Sequence, residues 1–435
     1  MIKPVASFTQ AKWQSIRASY WFVPVCMMLI AFCLGYACIY YTPVFISESL
    51  FRDYLPTVPA DTASDLISAI ATSIITATSI AFSMTLVALT MASSQFGPRL
   101  LQTFMDDRGT QLVLGFFTST FVFCLIALHR VSVSDTDTIT SSALSVLVLV
   151  IGIFDTLVLI YYIHHIARFI QVDEIISRCY HECIRSLSHL FTLTDEKKNH
   201  QCLKPSAIVD SPVITELSLT ESGYVQTVDY HHLLNQDGIQ GIDILVRAGD
   251  HVVPNETLLR IHSTTQIDDE RKHYCLSCIV LGKKRTSLQD PEFSVSQLVE
   301  IALRALSPGI NDPITAMTCA DRLTSVCILM AEHQFPSQAI RNTNTNIWLK
   351  RRTYTYESVL NTAFDQLRQA GEKHIDVMIH LVRCLNVMRK QLPQEYIQAV
   401  DTQISAVNDL VSAHIGCDKD RNDVTAVVNI GKQLH

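Results

Sequence analysis

The segment from Ala143 to Ile163, ALSVLVLVIGIFDTLVLIYYI, decides the fold class, because its sole charged residue is Asp155. A helix rises about 1.5 Å per residue, so about 20 apolar residues cross the ~30 Å of bilayer hydrocarbon. Working outward, Leu112 to Leu128, Leu66 to Met91 and Trp21 to Tyr41 are runs of the same kind. Beyond about residue 170 such runs disappear. The expectation is an α-helical membrane domain over residues 1–168, with about four transmembrane helices near 21–43, 66–92, 111–129 and 142–166. Its bilayer contact accounts for the low charged fraction, 17%, against roughly 25% in soluble proteins.

Orientation follows from basic residues, which short cytoplasmic loops retain. Lys3, Lys12 and Arg17 precede the first run, Arg99 and Arg108 lie between the second and third, and Arg168, Arg178 and Arg185 follow the fourth. The other loops have Arg52 among Glu48, Asp53, Asp61 and Asp65, and Arg130 beside Asp135 and Asp137. Both termini are therefore expected in the cytoplasm. The first run ends in Tyr-Tyr-Thr-Pro rather than a cleavage site and reads as a retained anchor. Thirteen cysteines, several inside apolar runs, fit a reducing compartment without structural disulfides, and the sequon at Asn255 is expected to be silent there.

Within the second run Ser68, Thr72, Thr76, Ser79, Ser83 and Thr90 recur mostly at three or four residues and share a helical face. Two readings stand. Small hydroxyl residues let membrane helices approach closely, or the stripe lines a water-filled path in a homo-oligomer. Asp155 must face protein or water, since a carboxylate in lipid costs several kcal/mol. It is either a structural group bonded to hydroxyls such as Thr118 or Thr120, or a binder of cations or protons. His164 and His165 follow at the cytoplasmic end, where capping is the common role of histidine. Gly97-Pro98 should break the second helix, ahead of a polar turn at Asp106, Asp107 and Arg108.

Residues 169–205 read as an amphipathic connector helix, with Val172, Ile175, Ile176, Cys179, Cys183, Leu187 and Leu190 on one face. Cys179 and Cys183, with His181 and His189 nearby, do not all share a face as a metal site would need. From 206 to 288 the period changes to short strands at Glu221–Val228, Ile242–Val246, His251–Val253 and Thr257–Ile261, between Gly and Pro turns. The Gly-Tyr-Val segment and the later Val-Arg-Ala-Gly-Asp-His-Val-Val-Pro-Asn-Glu-Thr-Leu resemble the barrel-sandwich domains of biotinyl carriers and membrane-fusion adaptors. No lysine occurs from Ser222 to His262, so swinging-arm chemistry is excluded. Cys275-Leu-Ser-Cys278 lies in a strand-like segment, away from the helix N-terminus a redox pair needs.

Residues 289–435 read as a helical bundle. Ser294 and Gln297 suggest a capping box, Ser307-Pro308-Gly309 stops the helix, and Asp312 with Pro313 starts the next. The chain after Gly416 is polar and is expected to fray. The fold class is thus membrane α-helical plus a cytoplasmic α+β part, with a small barrel-sandwich-like β domain and a C-terminal helical bundle.

Ser93-Ser-Gln-Phe-Gly-Pro-Arg99, the Ala248-Gly249-Asp250 turn, Gln289-Asp290 and Arg304-Ala-Leu-Ser-Pro-Gly-Ile-Asn-Asp-Pro313 with Thr315 and Ala316 carry a resemblance across nearly the whole chain. They resemble the predicted bacterial membrane proteins of domain-of-unknown-function family 2254. The resemblance implies a four-helix membrane part in the bacterial inner membrane and a cytoplasmic domain, and brings no established activity. Arg304, Ser307, Asn311 and Asp312 form a corner that is either a rigid helix junction or a site for a small ligand or neighbouring subunit.

The net charge of −7, without a long Lys/Arg run, argues against nucleic acid as a partner. No nucleophile elbow, phosphate loop, zinc-protease helix or dinucleotide fingerprint occurs, so neither enzyme activity, a cofactor nor a bound metal is expected. The leading expectation is an oligomeric ion channel or ion-conducting protein regulated by its cytoplasmic domain, with an ion or small ligand as partner. The competing one is a non-conducting sensor or scaffold. Reporters fused ahead of Trp21 and after Gly416 should both register the cytoplasm; a periplasmic signal at either place would overturn the orientation.

Overall fold

Four long apolar helices follow one another at the start of the chain, where the hydropathy runs lie. The computed structural model describes residues 21–47, 56–96, 107–133, 138–169, 171–195, 200–203, 213–236 and 238–432. Among the loop residues read above, Lys3, Lys12, Arg17, Glu48, Arg52, Asp53, Gly97, Pro98, Arg99, Asp106, Asp135 and Asp137 fall outside these. The chain divides into two compact units, one ending at Glu174 and one running from Ile175 to His435.

The first unit contains α1 (Phe22–Ser47), α2 (Ala60–Phe96), α3 (Arg108–Val133) and α4 (Thr138–Phe169). Its core is built from small residues on α2 (Ala63, Ala71, Ala81, Ala88) against Phe117, Cys124 and Ala127 of α3 and Val148 and Tyr162 of α4. Small side chains bring backbones close, which is how helices gain packing energy in a solvent as apolar as themselves. Gly115 of α3 shows how close: a Cβ there would stand 2.6 Å from Met27 Sδ and 3.2 Å from Pro24 Cα of α1. Outward, Leu149, Ile153, Leu157, Ile160 and Ile163 of α4 and Ile80, Phe82, Leu86 and Val87 of α2 are exposed. Such a surface far exceeds what soluble monomers display, and lipid is its natural solvent.

The second unit opens with the C-terminal part of α5 (Val172–Asp195), followed by β1 (His200–Cys202), β2 (Val213–Ser218), β3 (Gly223–Val228), α6 (Tyr230–Leu233), β4 (Ile239–Ile244), β5 (His251–Val252), β6 (Thr257–Ser263), α7 (Asp269–Ser277) and β7 (Ile279–Gly282). Then come α8 (Pro291–Ala305), α9 (Pro313–Ala331), β8 (Ala339–Asn342), β9 (Trp348–Arg351), α10 (Tyr356–Ala370), α11 (Ile375–Gln391), α12 (Gln394–His414) and α13 (Asp418–Lys432). The strands form a six-stranded sheet in the order β1-β8-β9-β4-β6-β2 and a three-stranded sheet in the order β5-β3-β7. All pairings are antiparallel except β4 with β9. Both sheets share one apolar core, including Val225, Leu233, Ile242, Leu258, Ile261 and Leu349. No closed barrel is found among the described residues.

Length and composition also admit Pro313–Ala331 as a membrane span, contrary to the expectation that apolar runs end before residue 170. Its apolar face, with Ala316, Ala320, Leu323, Val326 and Met330, is buried instead, and it packs on α8, α10 and α11. It is therefore a packed helix of the second unit's bundle. Asp290, not Ser294, caps α8, accepting from the Phe293 amide with Pro291 in the first turn, and Ser294 and Gln297 are buried. Cys275 lies on α7 and Cys278 caps its C-terminus, so this pair is helical rather than in a strand. The chain after Gly416 forms α13 because Val424 and Val428 give it a buried stripe and Asn386 of α11 donates to the Val427 carbonyl, 2.9 Å. β8 and β9 escape the periodicity reading because each has only four residues.

Gly115→Val should force α1 from α3 and lower stability by roughly 1–3 kcal/mol, read as a drop in thermal unfolding temperature in lipid; an unchanged melt would show that the α1–α3 approach is not tight.

Candidate functional site

The structure turns the hydroxyl face of α2 away from its own bundle. Thr72, Thr76, Ser79, Ser83 and Thr90 are exposed and Ser68 is half-buried, while Ala63, Ala71, Ala81 and Ala88 point inward. Thr72 donates to Ser68 O, Thr76 to Thr72 O, Ser79 to Ile75 O and Thr90 to Val87 O, at 2.8–3.0 Å. Each of these donors is satisfied within its own helix, so the face is compatible with an apolar neighbour, yet it keeps oxygen lone pairs outward.

Asp155 lies elsewhere. It is 5% exposed, faces Thr120 and Cys124 of α3, and neither carboxyl oxygen makes a hydrogen bond of normal geometry. Thr118, the other hydroxyl named for it, bonds to Leu114 O and Gly115 O of its own helix. The stripe and Asp155 therefore do not line a common surface within one chain: one is outward on α2, the other inward between α3 and α4.

At one end of the same bundle Asp107 Oδ2 meets His165 Nε2 at 2.7 Å and accepts from Thr110 N and Thr110 Oγ1 at 2.8 and 2.7 Å. Asp107 thus caps α3 and fastens it to α4, and Gly109 leaves room for the His165 ring. One turn before, the Tyr162 hydroxyl donates to Ala81 O of α2 at 2.7 Å and also meets Thr85. Sequence reading named His165 and Asp107 separately; their pairing across 58 residues had no local signal.

In the second unit the Arg304–Asp312 corner is largely satisfied by itself. Ser307 Oγ donates to Arg304 O, Asp312 N donates to Ala305 O, and Asn311 takes a left-handed φ of 52°. Asp312 accepts from Thr315 N and Oγ1, and the Thr315 hydroxyl bond holds its carboxyl below the usual carboxylate range. Pro308, Gly309, Ile310, Asn311 and Ile314 are exposed around it. The helix-junction role is thus built in, and the exposed rim is the part open to a neighbour.

The Ala248-Gly249-Asp250 turn and Gln289-Asp290 meet in space. Asp290, with a fully buried side chain, binds Arg285 at 2.6 Å and caps α8. Gly249, at φ 90°, must be glycine, because a Cβ would fall 2.2 Å from Asp290 Oδ2. Around them Arg247 binds Glu292 at 2.8 Å, Arg352 binds Asp250 at 2.7 Å, and the Gln289 side chain pairs with both backbone groups of Val228. Burial, then the charge of Asp290, pushes the Tyr354 phenol far up, so it stays protonated and donates to Ala248 O. This junction ties the three-stranded sheet and its turn to the helical bundle.

Cys179 and Cys183 of α5 are fully buried beside Cys319 and Cys327 of α9, while His181 is exposed and the His189 side chain lies outside those described. Burial pushes the Cys179 thiol up to about 12, so these thiols are core rather than reactive groups. One mixed cluster stands apart: Asp321 of α9 with His380 and Cys384 of α11, whose donor atoms lie within 4.8 Å of one another. Burial pushes the Cys384 thiol up to about 12 as well. Its signal in the sequence is the His-x-x-x-Cys spacing on one helical face, and Asp321 enters only through the packing of α9 on α11.

A polytopic helical membrane unit followed by a two-sheet and helical-bundle unit defines a membrane protein with a large extramembrane part. The description "Predicted membrane protein (DUF2254)" matches residues 17–387, and the chain belongs to that family. It is 29% identical over 372 residues to uncharacterized protein Mb1321c of Mycobacterium bovis and to uncharacterized protein Rv1290c of Mycobacterium tuberculosis, covering 83% of this chain and 70% of each relative. No solved structure matches.

Asp290→Ala, which removes a cap and strands Arg285, should cost roughly 2–4 kcal/mol in denaturant unfolding of the second unit, and Asp290→Asn distinctly less. Equal losses for the two would mean that the charge contributes nothing beyond the cap.

Proposed function

We propose that this protein is a homo-oligomeric, ion-conducting protein of the bacterial inner membrane whose second unit lies in the cytoplasm and regulates it. The observation that carries the reading is the hydroxyl face of α2, directed away from its own bundle with oxygen lone pairs outward. Four helices rarely enclose a path alone, so the face needs further copies of the chain to become the wall of one. In such a ring Ser68, Thr72, Thr76, Ser79, Ser83 and Thr90 would offer oxygens to a partly hydrated ion, as pore hydroxyls and carbonyls do. Asp155 would act from behind the wall, between α3 and α4, as an unpaired carboxyl that sets the local field.

A second reading is supported by the exposed rim of the corner at Pro308, Ile310 and Ile314. In that reading the protein is a non-conducting sensor or scaffold, its two-sheet module a barrel-sandwich-like adaptor, and Arg304, Ser307, Asn311 and Asp312 hold the corner that a ligand or partner touches.

A photo-cross-linker at Thr76 or Ser83 should capture a second copy of the chain in lipid, and one at Ile153 or Leu157 of α4 should not. Thr76→Val with Ser79→Val should lower ion flux into proteoliposomes several-fold, and Asp155→Asn should alter it. A monomer in nanodiscs would overturn the channel; an oligomer without flux, whose function is lost with Asn311→Ala, would select the sensor.

A further inference from the structure

His380 and Cys384 stand one turn apart on the same face of α11, and Asp321 reaches them from α9. His380 Nε2 is 2.8 Å and Cys384 Sγ 3.5 Å from the same atom, Asp321 Oδ1. We propose that these three side chains form a binding site for a borderline-soft divalent transition-metal cation of the zinc type, with solvent completing the coordination.

The separations fit. Around a tetrahedral zinc ion, with bonds of about 2.0 Å to nitrogen and oxygen and 2.3 Å to sulfur, neighbouring donors stand roughly 3.3–3.6 Å apart. The three donor atoms already lie within 4.8 Å of one another, so small side-chain rotations suffice. The donor set decides the class: imidazole with thiolate suits zinc and its neighbours, whereas calcium and magnesium take oxygen ligands. Exposure is graded from Cys384, buried, through His380, whose side chain is 24% exposed, to Asp321, 59% exposed. An ion would arrive from solvent through the carboxylate and settle on the sulfur. Binding converts the Cys384 thiol to thiolate, its proton passing to solvent.

A nucleophilic pair is not what the geometry describes. There the thiol would point at the imidazole, which would take its proton; here thiol and imidazole both converge on the carboxylate oxygen. A carboxylate oxygen shared by imidazole and thiol keeps three unlike ligand atoms within reach of one cation. It joins α9 to α11, so occupancy would bear on the rigidity of the bundle.

The test uses the full chain in lipid nanodiscs, stripped with a chelator and titrated with Co²⁺. Saturable binding with a thiolate-to-cobalt charge-transfer band is expected, with Zn²⁺ displacing the cobalt. Cys384→Ala should abolish the band, and His380→Gln should weaken binding at least tenfold. Asp321→Asn, at an exposed position where folding is not at stake, should also weaken it severalfold while the band persists at saturation. No saturable band in the natural protein, a band that survives Cys384→Ala, or unchanged affinity in Asp321→Asn would each overturn the site.

Discussion

A helix in hydrocarbon has no water to complete its polar groups, and the first unit is organised by that constraint. The hydroxyls of α2 close onto carbonyls three or four residues back, and its opposite face is alanine with Ile67 and Ile74. That face lets α3 and α4 approach, and the approach leaves room for few polar groups between helices. Those that are there act as fasteners: Tyr162 onto Ala81, Ser142 onto the Val58 amide, Asp107 onto His165. Asp155 is the charged exception, a buried carboxyl without such a bond, alongside the buried hydroxyls of Ser119 and Ser141. A buried carboxyl in such a core is costly and has to face protein or water rather than lipid.

The second unit solves a different problem. Two sheets and a set of helices share one chain that passes between them repeatedly, and the junction at Asp290 holds that passage. A single carboxylate serves as helix cap, ion-pair partner of Arg285 and close neighbour of Gly249. Buried ionic groups of this sort add less to stability than apolar packing would, but losing one partner is expensive. The result is a joint that tolerates little change at any of its three positions.

Much of this was legible in the sequence for physical reasons. Runs of 20 apolar residues survive any reading of local detail, so the four membrane helices were visible. Turn chemistry at Asp312-Pro313 and at Gly249 was equally plain, because few residues adopt those backbone states. What was hidden depends on distance along the chain. Asp107 with His165, Asp290 with Gly249, and Asp321 with His380 and Cys384 are pairings that no periodicity encodes. α13 was misread because its polar composition hides two buried valines, while Pro313–Ala331, read as part of the helical bundle, has nearly the hydropathy of a membrane span because it is buried on several sides. The outward aim of the hydroxyl stripe also needed coordinates, since a stripe on a helix does not say which way the helix is turned.

The parallel pairing of β4 with β9 has a consequence for how the chain is made. Gly241 to Ile244 lie beside Trp348 to Arg351, so one edge of β4 waits for about a hundred further residues to leave the ribosome before it is covered. During that interval the first unit is already complete and available to the membrane, while the six-stranded sheet is open in its middle. Loop closure over such a separation is slow, and an uncovered strand edge invites association with other chains. Nascent or truncated forms ending before Arg351 would thus be anchored at the bilayer with an adhesive edge, crowded onto a two-dimensional surface. Quality control of this protein is consequently a matter of the late-made strand, not of the helices that insert first.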